Sequence, residues 1–195
     1  MLRRTQDERS RETREKLMRA TIDVLLERGY AGLTTSLVEG RAGVSSGARV
    51  HHFRTKEDLV VAAMTMIYDH ATELGQTRAA SARKLKEPIR AFIEDCRSIY
   101  FDWPFLASID VVIAARTNDN LMSRIFEVLD TFHATMRKTW VDALVAAGQD
   151  AKSAETDLRL TLNMMRGMAT NKIWQNDQAE YDQLIEIWCK TLRRK

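Results

Sequence analysis

Ser45-Ser46-Gly47-Ala48-Arg49-Val50-His51-His52, with Lys56 four residues further on, gathers small hydroxyls, a guanidinium, two imidazoles and an ammonium. These groups suit recognition of a polyanion rather than bond-making. Ser45, Ser46 and Gly47 are small, so a phosphate or a base edge can approach their backbone N–H groups closely. Arg49 is the one side chain in residues 45–53 able to fork onto guanine O6 and N7. Lys56, at the start of a helix, offers a point-charge contact to phosphate. His51 and His52 either join that surface or pack inside a small domain.

Other chemistry has no pattern to stand on. There is no Gly-x-Ser-x-Gly elbow, phosphate loop or dinucleotide fingerprint. Histidines 51, 52, 70 and 133 do not pair with cysteine or carboxylate at ligand spacing. No metal site and no cofactor are therefore expected, and a helical enzyme would have to use an unpatterned carboxylate pair. Cys96 and Cys189 each sit alone within a helical pattern, as expected of reduced thiols in a cytosol.

The elements that must position the 45–56 run are helices. Ala, Leu, Met, Arg, Lys and Glu dominate the 195 residues, prolines number two, and no alternating β-branched run appears. An all-α protein follows. Leu17, Thr21, Val24, Leu25 and Arg28 trace a first helical stripe that Gly29 stops. Thr34 or Thr35 caps a second helix ending at Gly43, which permits the positive φ of a tight turn. A third opens at Ser45 or Ser46 and closes near Phe53. Val24, Leu25, Val38, Val44 and Phe53 are the expected core of this small module.

Lys56 opens a long helix expected to end within the polar stretch 75–86. Further helices are expected over about 88–102, 104–116, 121–147, 154–175 and 178–193. Those over 154–175 and 178–193 carry apolar residues on more than one face, which calls for a second burying surface. No apolar run approaches the ~18 residues of a membrane span, and the N-terminal residues lack a secretory apolar region.

Charge divides along the chain. Residues 1–57 carry a net +4 (12 Lys and Arg, 8 Asp and Glu), and residues 58–195 a net −1 (18 and 19). The asymmetry suggests a polyanionic partner for the N-terminal end, against the alternative of an ordinary solvated face. Arg3, Arg4, Arg9, Arg11 and Arg14 read either as a DNA-tracking arm or as a solvated lead-in, with acids interleaved.

Ala42-Gly43-Val44-Ser45, Gly47, His51-His52-Phe53 and Thr55-Lys56-Glu57-Asp58-Leu59 resemble the DNA-binding domain of the tetracycline-repressor (TetR) family of one-component regulators. The match is close over residues 34–59 and extends loosely to the helix plan of the whole chain. The resemblance implies a helix-turn-helix domain in residues 1–57 and a larger helical ligand-binding and dimerisation domain in 58–195. It places the recognition helix near 46–52 in the major groove. Ser36, Ser46, Gly47, Ala48 and Arg49 then lie at or near DNA, Thr35, His52 and Lys56 hold phosphates, and Ser45 and His51 complete the set.

The implied function is that of a cytoplasmic, ligand-responsive transcription regulator. It would be a repressor by family habit, a homodimer through helices near 154–175 and 178–193, on a near-palindromic double-stranded DNA operator. Three positions depart from the family pattern. Val50 stands where a phosphate-binding tyrosine is frequent. Glu39 stands where a small alanine lets two helices cross, so its carboxylate must reach the rim or loosen the crossing. Gly40 adds a mid-helix glycine costing about 0.5–1 kcal/mol relative to alanine. Glu39 and Val50 also keep open a reading as an interaction protein whose DNA reader has decayed.

For a small apolar or aromatic effector, the candidate lining is Trp103, Phe105, Met122, Phe126, Met136, Trp140, Met165 and Met168. Methionine suits an adaptable pocket, though each of these residues also reads as core packing. Asp110, Arg116, Asn163, Arg166 and Asn171 are polar residues set among them.

Overall fold

Thr5 accepts a hydrogen bond from the Glu8 N–H (3.2 Å) and Glu8 accepts one from the Thr5 N–H (2.8 Å), a capping box that starts the first helix well before Leu17. The computed structural model describes residues 5–85, 87–175 and 177–193. Its regular elements are all helices: α1 (Gln6–Gly32), α2 (Thr35–Ala42), α3 (Ser46–His52), α4 (Lys56–Ala82), α5 (Pro88–Tyr100), α6 (Trp103–Ala115), α7 (Asp119–Ala146), α8 (Ala151–Asn171) and α9 (Gln178–Arg193). Arg9, Arg11 and Arg14 therefore sit on a helix rather than an arm, supported by Lys16–Glu12 and Arg19–Glu15 pairs one turn apart. Arg3 and Arg4 lie outside the described residues.

Other boundaries also moved for physical reasons. Helix α4 runs to Ala82, inside the stretch expected to hold its end, because Ala79 and Ala82 are buried and continue its inner face with small side chains. Helix α8 opens at Ala151 because Asp150 accepts from the Ser153 N–H (2.9 Å), and it ends at Asn171. At Gly29 the backbone of α1 breaks (φ 66°), so only a last short turn follows.

The described residues form two compact units. The first holds the residues up to Asp69 together with Leu106–Asp130. Leu17, Val24, Leu25, Leu33, Val38, Phe53 and Leu59 are buried in it, while Val44 is only half-buried. The Arg14 guanidinium lies 4.6 Å from the centre of the Phe53 ring, fastening the end of α3 to α1. Asp110 of α6 accepts a hydrogen bond from the Tyr30 N–H, left open by the break at Gly29. Arg124 of α7 donates to Asp58 of α4 (2.9 Å).

The second unit holds His70–Phe105 and the residues from Thr131 onward. Asp95, only 2% exposed, accepts from the Trp140 indole N–H (2.9 Å) and from Arg78 (2.6 Å). Phe92 packs on Trp140 with ring centres 5.3 Å apart. The Trp188 indole donates to the buried Thr161 hydroxyl (2.8 Å), and Arg90–Glu186 and Arg97–Asp182 join α5 to α9. A buried indole N–H without a partner costs about 1–3 kcal/mol. Asp95→Ala is therefore expected to lower Tm by roughly 3–10 °C in thermal unfolding, with Asp95→Asn, which keeps an acceptor, losing less.

Candidate nucleic-acid interface

Helix α2 starts where the Thr34 hydroxyl accepts from the Leu37 N–H (3.3 Å). It ends at Gly43, whose φ of 64° admits the turn that a side chain would strain. The Val44 N–H then reaches back to the Glu39 carbonyl (3.1 Å). The Ser45 hydroxyl accepts from the Ala48 N–H (3.3 Å) and starts α3. Thus helix, turn and helix follow from three local caps, with Ser45 rather than Ser46 as the second cap.

Glu39 joins the two helices. Its carboxylate accepts from the Ser46 hydroxyl (2.6 Å) and from Arg49 Nε (2.9 Å). The hydroxyl and then the guanidinium hold the Glu39 carboxyl below its ordinary range. Both side chains of the ion pair are nearly covered, at 12% and 11% exposure. Arg49 Nη1 donates to the carbonyls of Phe53 (3.0 Å) and Arg54 (2.9 Å). The carboxylate expected at the rim, or loosening the crossing, instead clamps the turn. The guanidinium offered by the sequence to a guanine is directed inward, and a bidentate fork would require breaking the clamp.

Lys56 is likewise engaged. Its ammonium donates to the Tyr30 carbonyl (2.6 Å) and lies 4.0 Å from the centre of the Tyr30 ring, and burial lowers its pKa. His51 and His52 stack in parallel, 5.0 Å apart. Burial first, then the neighbouring charges of His51 and Arg14, lower the pKa of the half-buried His52 and favour its neutral form. Thr35 and Ala48 are half-buried; Ser36, Ser45, Ser46, Gly47 and His51 are exposed, as is Val50 (45%).

The structure therefore brings Ser36, Ser45, Gly47 and His51 together as an exposed part of one module and ties Ser46, Arg49 and Lys56 into it. No carboxylate occurs between Glu39 and Glu57, and Glu39 is neutralised by Arg49. Sequence reasoning missed two features. One is the Glu39–Arg49 pair, legible only as opposite charges ten residues apart across a glycine turn. The other is Arg54, exposed, with a guanidinium that has no hydrogen-bond or ion-pair partner among the described residues.

The effector candidates scatter. Met136 and Trp140 line a cavity in the second unit. Met165 is fully buried, Phe105, Met122 and Met168 are half-buried, and Trp103 and Phe126 are exposed (39% and 64%). Asp110, read among possible ligand-orienting residues, is engaged with the Tyr30 N–H.

This helix-turn-helix within an all-helical chain defines a class of DNA-binding regulator. Residues 17–63 match the family of bacterial regulatory proteins, tetR family. The HTH-type transcriptional regulator CymR of Pseudomonas putida is 35% identical over 182 residues, spanning 93% of this chain and 90% of CymR. A transcriptional regulator from Rhodococcus sp. Rha1 has the same fold (TM-score 0.71, 24% identity, 93% of this chain and 96% of that one). So does the multidrug binding protein EbrR in complex with malachite green (TM-score 0.63, 20% identity, 93% and 96%). The chain belongs to the TetR family: it is a DNA-binding transcriptional regulator and not an enzyme.

Because Arg49 holds α3 in place, Arg49→Ala is expected to weaken DNA binding about tenfold or more. The loss should be the same for a preferred sequence and for its single-base variants. Fluorescence anisotropy across such a series checks this. A loss confined to one base position would mean that Arg49 reads that base.

Proposed function

We propose that the protein represses transcription by binding a near-palindromic operator as a homodimer and leaves it when a small-molecule effector binds. The observation that carries the reading is the intact helix-turn-helix, whose exposed face is free of uncompensated acid. In this reading, residues 1–57 are the DNA-binding domain and 58–195 the effector and dimerisation domain, and the protein works in the cytoplasm, on DNA. Ser36, Ser45, Gly47, Ala48 and His51 face base edges. Thr35, His52 and Arg54 hold phosphates. Ser46, Arg49 and Lys56 support this surface from within.

Dimerisation is supported by apolar side chains of the second unit that the described residues leave exposed. Leu160 of α8, Ile173 and Trp174 just beyond it, and Leu184 and Ile187 of α9 are 41–69% exposed. Two-fold symmetry of such a dimer demands two-fold symmetry in the operator. Effector release needs a mechanical route, and Asp110 to Tyr30 and Arg124 to Asp58 supply one, tying α6 and α7 to the ends of α1 and α4. Half-sites repeat about every 34–36 Å, so a shift of a few Å breaks simultaneous engagement. EbrR, of the same fold, binds malachite green, a precedent for a small-molecule effector.

A second reading, an interaction protein with a decayed reader, is favoured by the inward engagement of Arg49 and Lys56 and by Val50. Selection from a random duplex library separates the two. Repression predicts enrichment of an inverted repeat bound by a dimer of 22.4 kDa chains, with affinity falling steeply as salt rises. Retention of no duplex at about 50 mM salt would establish the decayed reader, and a monomer in light scattering at micromolar concentration would overturn the dimer.

A further inference from the structure

The second unit contains an apolar cavity of about 20 Å³ whose lining includes Phe92, Tyr100, Phe132, Met136, Trp140 and Leu158. That space holds about one water, so a ligand must displace side chains to enter. Beside it, between α7 and α8, opens a cleft of about 220 Å³ lined by His133, Arg137, Arg159, Leu162, Asn163 and Arg166. His133, Arg137 and Leu162 line both spaces. An apolar chamber thus adjoins a cleft with three guanidiniums and an imidazole.

Among the described residues no carboxylate lines the cleft. Asp95, the carboxylate that the described residues place on the cavity wall, is already engaged by Trp140 and Arg78. Arg137 and Arg159 have no hydrogen-bond or ion-pair partner among the described residues. Arg166 is held by the Tyr100 hydroxyl, which accepts from its Nε (3.1 Å) and Nη2 (3.0 Å). This concentration of cations lies in a stretch, residues 58–195, whose net charge is −1, so it is not a general basic background. Guanidiniums pair with carboxylates through parallel N–H bonds, and the flexible Met136 on the chamber wall can yield to a hydrocarbon body.

We propose that this site takes an amphiphilic organic monoanion, with its hydrocarbon body in the chamber and its carboxylate on Arg137 and Arg166. The inference rests on the effector reading above and gives the effector its chemical class. Cyclic and linear hydrocarbons share the chemistry that the site selects, a carboxylate beside an apolar body.

The test is calorimetric titration of the full-length protein with 2-naphthoate and octanoate, each against its neutral amide. At least one acid is expected to bind about tenfold or more tightly than its amide. The favoured body distinguishes an aromatic from a fatty acid. In Arg137→Gln and Arg166→Gln that ratio should collapse toward one, and because it is internal to each variant it does not depend on equal yields of folded protein. Equal affinity for acid and amide, an unchanged ratio in both variants, or no binding of either acid up to about 1 mM overturns the proposal. Operator affinity, measured alongside, keeps the two claims apart. Acid binding that leaves DNA affinity unchanged upholds the anion site and sinks the effector reading. Release by the amides alone does the reverse.

Discussion

A carboxylate nearly covered where two helices meet must be neutralised where it stands. Glu39 meets that constraint through Ser46 and Arg49, and the local structure follows from it. The guanidinium that quenches the charge also collects the carbonyls of Phe53 and Arg54, so Ser46 and Arg49 together tie the start of α3, its end and the approach to α4 to one carboxylate. A charged pair so nearly covered is costly to break from one side only, because the remaining charge loses its partner. The clamp ties α2 to α3 and turns inward the cation that the sequence offered to a guanine.

Tyr30 is a second fixed point in the first unit. Its N–H is held by Asp110 of α6, and its carbonyl and ring are held by Lys56 at the start of α4. Since Gly29 breaks α1 just before it, the Tyr30 N–H recruits a side chain, while its carbonyl accepts from Lys56 as well as from the Leu33 N–H (3.3 Å). The reader is therefore tied to α4 and α6 at one residue, and to α7 through Asp58 and Arg124. Whatever displaces α6 acts on α1 through a hydrogen bond rather than through a loose loop. The cationic cleft lies on the α7–α8 side of the second unit, and α7 contributes residues to both units.

Much of the fold was legible because its signals are local. Thr34, Gly43 and Ser45 set the boundaries of α2 and α3, and Pro88 stands at the first turn of α5. The start of α1 was not, because arginines paired with acids one turn away resemble a solvated arm until Thr5 and Glu8 are seen to cap them. The end of α4 was bracketed rather than fixed, because alanines carry little periodic signal. The site was legible as a segment but not as geometry. Whether Arg49 points to DNA or to Glu39 depends on the approach of two helices, which spacing does not encode. Similarly, a methionine or tryptophan on an apolar stripe reveals burial and not which space it borders. So Met136 and Trp140 line the chamber while Met165 packs away and Phe126 faces solvent.

The central claim is that Glu39 and Arg49 act as a single unit holding the DNA-reading helix. A double-mutant cycle tests this most directly, with operator affinity measured for Glu39→Ala, Arg49→Ala and the double variant. If the two side chains serve one clamp, the second substitution removes nothing that the first has not already removed. The double variant should then bind no more weakly than the weaker single variant, apart from a few tenths of a kcal/mol. Losses that add in full would show that each residue meets DNA or the fold independently, and would contradict the clamp.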